Sequence, residues 1–494
     1  MSVLDRYRGL VEDPQAFLDA ARSPLPPVVW ANELRLPRPE LEEFFHQPPA
    51  TGQALPVEPL PWLPGAYRLP LKTSSGNRFE YVSGLYHVQE EVSLLPVTLL
   101  APQPGERVLD LCAAPGGKTA QLAVAVGLGG TVVANDKYFG RLSVLRRLID
   151  RLGLPHCVLT QHDAAGYPRE AGLFDRVLAD VPCSCEGNTR KMPHLLEGKD
   201  VMPPGHLADL QGAILRRAVE LCRPGGRIAY ATCTYAPEEN EAVVDDALRR
   251  YAGCLRLLPA RLPGFRSAPG LTAWRGRAFH QDMEHCLRAW PHLQDTGGFF
   301  VALLEKTGPT GSPKEGRADA ETSLQQGARV LPESEAEALR QRVDEYHRFR
   351  DAPLEDFAYF SPNNRFLSYT TPSLRLPTAP RPHSIGLPFI HHGTTDPRLA
   401  SSASMHLAPF ATHNVVDLSA PQADAFFHRQ TFHDLLPHQR HHTTSGFTLL
   451  RYRGVGLGTG VLQPGESEQD PASVRSLFPK GWALREGRRA FTAD

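Results

Sequence analysis

The sequence predicts an α/β protein whose centre is a doubly wound, mostly parallel sheet, with a mixed N-terminal region and a β-rich C-terminal one. Three observations carry this. Between residues 105 and 305, apolar strand-like runs alternate with amphipathic helical segments. The first three of those runs end in an acid, at Asp110, Asp136 and Asp163. Two later runs end in cysteines, Cys183 in "ADVPCSCEGNTRK" and Cys233 in "GRIAYATCTYAPEENE", 50 residues apart.

In chain order, "GERVLDLCA" reads as a strand, "GKTAQLAVAV" as a helix, "GTVVANDK" as a strand and "FGRLSVLRRLIDRLG" as a helix. "HCVLTQHDA", "FDRVLADVP" and "GRIAYATCT" read as further strands. The helix "HLADLQGAILRRAVELCRPGG" falls before the last of them and is expected to stop at its glycine pair. Upstream, residues 1–100 are of mixed texture, with a helix in "LPRPELEEFFH". Residues 307–325 are polar and rich in Gly, Pro and Ser, as in a linker. Residues 326–494 include "GFTLLRYRGVGLGTGVLQPG", two strands around Gly-containing turns.

The 494 residues exceed what one core organises, so two or three domains are expected. A hydrophobic fraction of 41% and a charged fraction of 22% are ordinary for a soluble protein, and no run of eighteen apolar residues offers a membrane span. The charged start "MSVLDRYRGLVEDPQ" lacks a signal-peptide core, which places the chain in the cytoplasm and its 8 cysteines among buried fillers or reactive thiols. Net charge is −1, so the molecule as a whole is no polycation. Of its 53 basic residues only 8 are Lys. Arg binds phosphate bidentately and stacks on bases, but a preference for Arg codons explains the bias equally well.

In "VLDLCAAPGGKTAQLA" a strand ends in Asp110, and a loop of small residues leads to a helix opening near Lys118. Small residues let a ligand approach the backbone, and a helix N-terminus favours negative charge. A P-loop would need glycine five residues before the Gly117-Lys118 pair, where Cys112 stands, and the glycine ladder of a dinucleotide fold is absent. Asp136 and Asp163 could each be a helix cap. Three successive acids at the edge where doubly wound folds bind ligands favour a nucleoside site. Cys157, Cys222, Cys254 and Cys286 read as small hydrophobes. Cys183 and Cys233 do not, because each follows a strand directly and sits among turn residues.

Together these segments resemble the NOP/Sun-type RNA cytosine-5 methyltransferases, in particular bacterial members that act on 16S ribosomal RNA. The motifs are "LDLCAAPGGKT", "ANDK", "DVPCS" and "TCTYAPEENE". "GLYHVQEEVSLLPV" (84–97) precedes them and "WPHLQDTGGFFVALLEK" (290–306) follows, so the resemblance covers roughly residues 20–306. It implies a Rossmann-like methyltransferase sheet over residues 101–306, an N-terminal RNA-binding extension and S-adenosylmethionine as cofactor, with no metal. A thiolate adds to carbon 6 of cytosine, carbon 5 takes the methyl group, a base removes the carbon-5 proton and the thiol leaves. By position, Cys233 is the nucleophile and Cys183 assists release. Asp180 contacts the cytosine N3 edge, which requires a raised pKa. Cofactor contacts carried over are Cys112, Ala113, Ala114, Pro115, Gly116, Gly117, Lys118, Asp136, Asp163 and Asp180. The family turn usually has glycine where this chain has Cys185, which reads as a tolerated substitution at a position of positive φ.

The segment 446–487 and "VDLSAPQADAFFHRQTF" resemble the PUA-like module that ends bacterial ribosomal-RNA members, with Arg451, Arg453, Arg475 and Lys480 as candidate phosphate contacts. The histidines of "FHRQTFHDLLPHQRHH" lack cysteines or acids at finger-like spacing, so no zinc site is expected there. A zinc deaminase is excluded, because no His is followed two residues later by Glu and no P-C-x-x-C occurs. A transfer-RNA cytosine-5 methyltransferase and a catalytically inactive RNA-binding assembly factor remain as alternatives. The expectation is a monomeric enzyme acting on 16S ribosomal RNA or the assembling small subunit.

Overall fold

The structure is a computed structural model. It describes residues 3–46, 55–197, 202–203, 205–310, 321–322, 324, 329–465, 471–485, 488 and 490, so most of the expected linker lies outside the described residues. Among the described residues no helix is long and apolar enough to cross a membrane.

The central sheet follows the predicted alternation. Its elements are β1 (Arg107–Asp110), α1 (Gly117–Val126), β2 (Thr131–Asn135), α2 (Phe139–Leu152), β3 (Cys157–Thr160), β4 (Phe174–Asp180), α3 (Ala208–Leu221), β5 (Cys222–Thr232) and α4 (Glu241–Arg250). β6 (Leu255–Leu258), β7 (Leu287–Ala289) and β8 (Phe299–Lys306) follow. The order β7-β8-β5-β4-β1-β2-β3 is parallel from β5 to β3 and antiparallel beyond β5, where β8 also pairs β6.

Both faces of this sheet are covered, which explains why its strands read as unbroken apolar runs. Val108, Val132 and Ala229 point into the core shared with α1 and α2, and their neighbours Leu109, Val133 and Ile228 into the core shared with α3 and α4. Cys157, Cys222 and Cys286 lie buried in these cores. Helix α3 stops at Leu221, ahead of the expected glycine pair. Pro224 has no N–H and disfavours helix at the residue before it, so the chain turns extended at Cys222.

One buried pair braces the cysteine-bearing end. Arg288 on β7 donates to Glu241, the first residue of α4, at 2.6 and 2.5 Å and to the Tyr235 carbonyl at 3.0 Å. Both side chains are at most 3% exposed. Arg288→Leu strands the Glu241 charge and should cost about 3–5 kcal/mol, read as a fall in the urea midpoint. An unchanged midpoint would show the pair to be dispensable.

The flanking regions are less separate than their texture suggests. The N-terminal sheet (Glu58–Pro59, Ala66–Arg68, Val28–Ala31, Tyr86–Val88) shares a core with a C-terminal six-stranded sheet. Phe45, Phe79 and Tyr86 pack there with Phe426, Phe427 and Leu450. Ser384–Ile385 adds an antiparallel strand beside β3, and helix Glu333–His347 buries Leu339 and Val343 in the α1/α2 core. The Gly-rich C-terminal segment forms the hairpin Gly446–Tyr452 and Val455–Gln463.

Candidate active site

Strand order reverses between β1 and β4, and the carboxyl ends of adjacent parallel strands leave a crevice at such a switch point. β1 delivers Asp110 to it, β4 delivers Asp180 and Cys183, and β5 delivers Cys233. The loop after β1 is pinned to the end of β2: Ala113 N–H donates to the Asn135 carbonyl at 2.7 Å and Ala114 N–H to Asp136 Oδ2 at 3.3 Å. Gly116 has φ +116°, and a Cβ there would lie 2.5 Å from Leu145 Cδ1, so only glycine fits.

Residues 112–118 form one wall of a cavity of about 330 Å³ that also takes in Asp110, Asp180, Asn188, Cys233 and Phe299. Asp110 Oδ2 accepts from Thr119 Oγ1 at 2.7 Å, while Oδ1 is buried with no hydrogen-bond partner among the described residues. Burial pushes this carboxyl up to about 7. Lys118 Nζ donates to Asp180 Oδ2 at 2.7 Å and lies 5.4 Å from the centroid of the Phe299 ring. Burial raises the Asp180 carboxyl above its ordinary range even though Lys118 opposes it.

Three thiols meet at the floor of the crevice. Cys183 Sγ is 3.3 Å from Cys233 Sγ and 4.0 Å from Cys185 Sγ, and Cys233 Sγ is 3.6 Å from Cys185 Sγ. Asn188 Nδ2 donates to Cys233 Sγ at 3.2 Å. Donation from Cys183 and Cys233 draws the Cys185 thiol below its ordinary range. Donation from Cys183 also favours the Cys233 thiolate. Hydrogen bonding to Cys185, burial and the nearby Cys185 charge outweigh it and push Cys233 up to about 12. Cys185 has φ +60°, ψ +19°, the left-handed conformation anticipated for this position. Cys185→Gly should therefore raise stability by about 0.5–1 kcal/mol, strain relief exceeding the extra chain entropy. A lower melting temperature would show that the thiol's contacts outweigh the strain.

The two cysteine turns are fastened together. Ser184 N–H and Gln211 Nε2 both donate to Glu239 Oε2, at 3.0 and 2.7 Å, and Ser184 Oγ meets Thr234 Oγ1 at 2.7 Å. Gly187 N–H donates to the Cys233 carbonyl at 2.9 Å, and a Cβ on Gly187 would stand 2.3 Å from the Gly298 carbonyl oxygen. The N-terminal segment joins in: Tyr7 OH donates to Glu186, and Arg6 pairs with Glu238 at 2.7 Å. Asn188, Glu186, Glu239 and Tyr7 were not singled out from the sequence. The only signal for the first three was their place inside the motif turns, and Tyr7 had none.

The structure brings Asp180, Cys233 and the 112–118 loop to one cavity, with Cys183 Sγ 3.3 Å from Cys233 Sγ. Asp136 and Asp163 are not among the residues lining that cavity. Asp136 accepts from Tyr138 N–H at 3.0 Å and pairs with Arg141 at 3.4 Å. Asp163 pairs with Lys137 at 2.7 Å and accepts from Ala165 N–H at 3.0 Å. Of the four basic C-terminal residues, Arg451 is committed to Asp417 and Arg453 stacks on Phe44, whereas Arg475 and Lys480 are exposed. A groove of about 490 Å³ shares Pro115 and Gly117 with the cavity and runs between α2 and the C-terminal segment, past Arg147, Trp482 and Arg485.

A Rossmann-like sheet with two thiols at the ends of adjacent strands, beside a small-residue loop and a Lys–Asp pair, defines an S-adenosylmethionine methyltransferase-type site. The family described as 16S rRNA methyltransferase RsmB/F matches residues 97–305. The chain is 32% identical over 306 residues to the tRNA (cytosine(49)-C(5))-methyltransferase of Pyrococcus abyssi, covering 62% of this chain and 95% of that protein. A solved methyltransferase homolog protein from Pyrococcus horikoshii superposes with TM-score 0.53 at 30% identity, covering 61% of this chain and 93% of that one. With the 28S rRNA (cytosine-C(5))-methyltransferase of Mus musculus identity is 33% over 328 residues, 65% of this chain but 40% of that protein. This chain thus spans only about two fifths of the mouse relative's length. The chain belongs to the family of RNA cytosine-C5 methyltransferases.

Proposed function

We propose that the protein methylates carbon 5 of cytosine in small-subunit (16S) ribosomal RNA, free or in the assembling subunit. The observation that carries the chemistry is the Cys183–Cys233 pair, 3.3 Å apart, beside a cavity that also holds Asp180. S-adenosylmethionine, when bound, supplies the methyl group and departs as S-adenosylhomocysteine. The residues present fit it: Asp110 Oδ1 is an unpartnered buried acceptor suited to an ammonium, and a Cβ on Gly117 would lie 2.7 Å from Gln89 Oε1. Asp136 and Asp163 contact the nucleoside once Arg141 and Lys137, 52% and 57% exposed, swing aside.

Cys233 adds to carbon 6, and the ring's π electrons move to carbon 5, which then bonds the methyl carbon. Asp180, once it carries the proton that its raised pKa favours, donates to N3 and draws electrons from carbon 6. Lys118 holds the Asp180 side chain at 2.7 Å. Cys183 assists removal of the carbon-5 proton, and the electrons of that C–H bond expel the Cys233 thiolate. The target base must be flipped into the cavity.

Residues 446–485 serve as a PUA-like module. Together with the N-terminal extension it guides RNA along the groove past Arg147, Trp482 and Arg485, with Arg475 and Lys480 as further phosphate contacts. The enzyme works as a monomer in the reducing cytoplasm, in keeping with eight free thiols. A transfer-RNA substrate is the second reading, favoured by the Pyrococcus abyssi relative, of which the chain covers 95%.

Tritiated S-adenosylmethionine offered with 16S ribosomal RNA, small subunits or transfer RNA decides among these readings. 5-Methylcytosine in the ribosomal RNA is the expected product. Label confined to transfer RNA would replace the substrate, and label in neither would favour an RNA-binding assembly factor.

A further inference from the structure

We propose that Cys183, Cys185 and Cys233 form a binding site for a soft divalent cation, Zn²⁺, whose occupation switches methyl transfer off. Among the described residues these are the one group of three or more His, Cys, Asp or Glu side chains whose ligating atoms converge within 4.8 Å. Four-coordinate zinc–thiolate sites have Zn–S bonds of about 2.3 Å and tetrahedral angles, which sets sulfurs about 3.8 Å apart. The three separations here are 3.3, 3.6 and 4.0 Å, so the triangle closes around an ion with shifts of about half an ångström. Of the three, Cys233 lines the cavity, the side from which a fourth ligand would come. A donor set of three sulfurs selects zinc or cadmium over magnesium and calcium.

Two further features belong to such a site. Asn188 Nδ2 donates to Cys233 Sγ at 3.2 Å, an outer contact that orients a sulfur ligand. Cys185 is also held at φ +60°, where glycine would be unstrained, so the chain keeps a thiol at a backbone cost of about 1–2 kcal/mol. Strain retained beside a reactive centre points to a use for the side chain. An ion bound here engages both thiols that the proposed mechanism needs free. Inhibition therefore rests on that mechanism, whereas binding does not.

The test uses the reduced, metal-stripped full chain and CdCl₂ as probe, read by the thiolate-to-cadmium absorbance in the ultraviolet. The expected result is saturation at one Cd²⁺ per chain. Cys185→Gly should weaken binding at least 100-fold, because losing even an outer partner of a metal ligand costs about 10–100-fold. Cys185→Ser, which keeps the side chain's size, should do the same. In parallel, ZnCl₂ should inhibit the wild-type chain at a concentration about 100-fold below that needed for Cys185→Gly, each compared with that chain's own zinc-free rate. No absorbance at one equivalent, or equal binding by wild type and Cys185→Gly, would overturn the site. The cadmium measurement needs neither RNA nor turnover. A chain that binds the ion but methylates nothing refutes the proposed activity and leaves the site standing, and an active chain that binds no ion does the reverse.

Discussion

Cys233→Ala should lose methyl transfer by on the order of 10⁴-fold, equivalent to about 5.5 kcal/mol in the barrier, while still binding S-adenosylmethionine. In the proposed mechanism this thiol supplies the covalent step. Cys183 and Cys185 sit 3.3 and 3.6 Å away but follow a different strand, and of the three only Cys233 lines the cavity. Cofactor affinity should survive because the 112–118 loop and Asp110 do not depend on this side chain. Single-turnover transfer and equilibrium dialysis measure the two quantities separately. Residual activity within about tenfold of wild type would assign the nucleophile elsewhere.

Asp180→Ala carries the second large effect, on the order of 10²–10⁴-fold in kcat, the range that positioned acid–base groups supply. The same loss should appear in the rate of covalent adduct formation, since the role proposed for the carboxyl lies in the addition step. Asp180→Asn should recover part of it, because the amide can donate to N3 while its carbonyl accepts from Lys118, as Oδ2 does now at 2.7 Å. Turnover close to wild type in Asp180→Ala would remove the residue from the mechanism.

Much of this was legible in the sequence, because the catalytic sheet is built from local periodicity and its site sits where strands end. The runs at Val108, Val132, Val177 and Ile228 needed only their alternation with amphipathic helices to be ordered. Asp110, Asp180, Cys183 and Cys233 were visible as polar residues terminating apolar runs. Contacts between segments far apart in the chain were not legible. Nothing local links Tyr7 to Glu186 or Arg190 to the carbonyls of Ser23 and Thr296. The shared core of Phe79 with Phe427 and Tyr452 likewise forms across more than 300 residues. Asp136 and Asp163 show the opposite problem. Their ligand-binding and capping readings looked alike in sequence, and the structure pairs each with a neighbouring base and backbone N–H.

The most direct test of the central claim is covalent trapping. Cys183→Ala, incubated with S-adenosylmethionine and 16S ribosomal RNA, should accumulate a protein–RNA adduct on a denaturing gel, because addition proceeds while release is blocked. The double variant Cys183→Ala/Cys233→Ala should form none. An adduct that persists in the double variant would contradict the assignment of Cys233. Absence of any adduct from Cys183→Ala with either ribosomal or transfer RNA would contradict the two-cysteine chemistry itself.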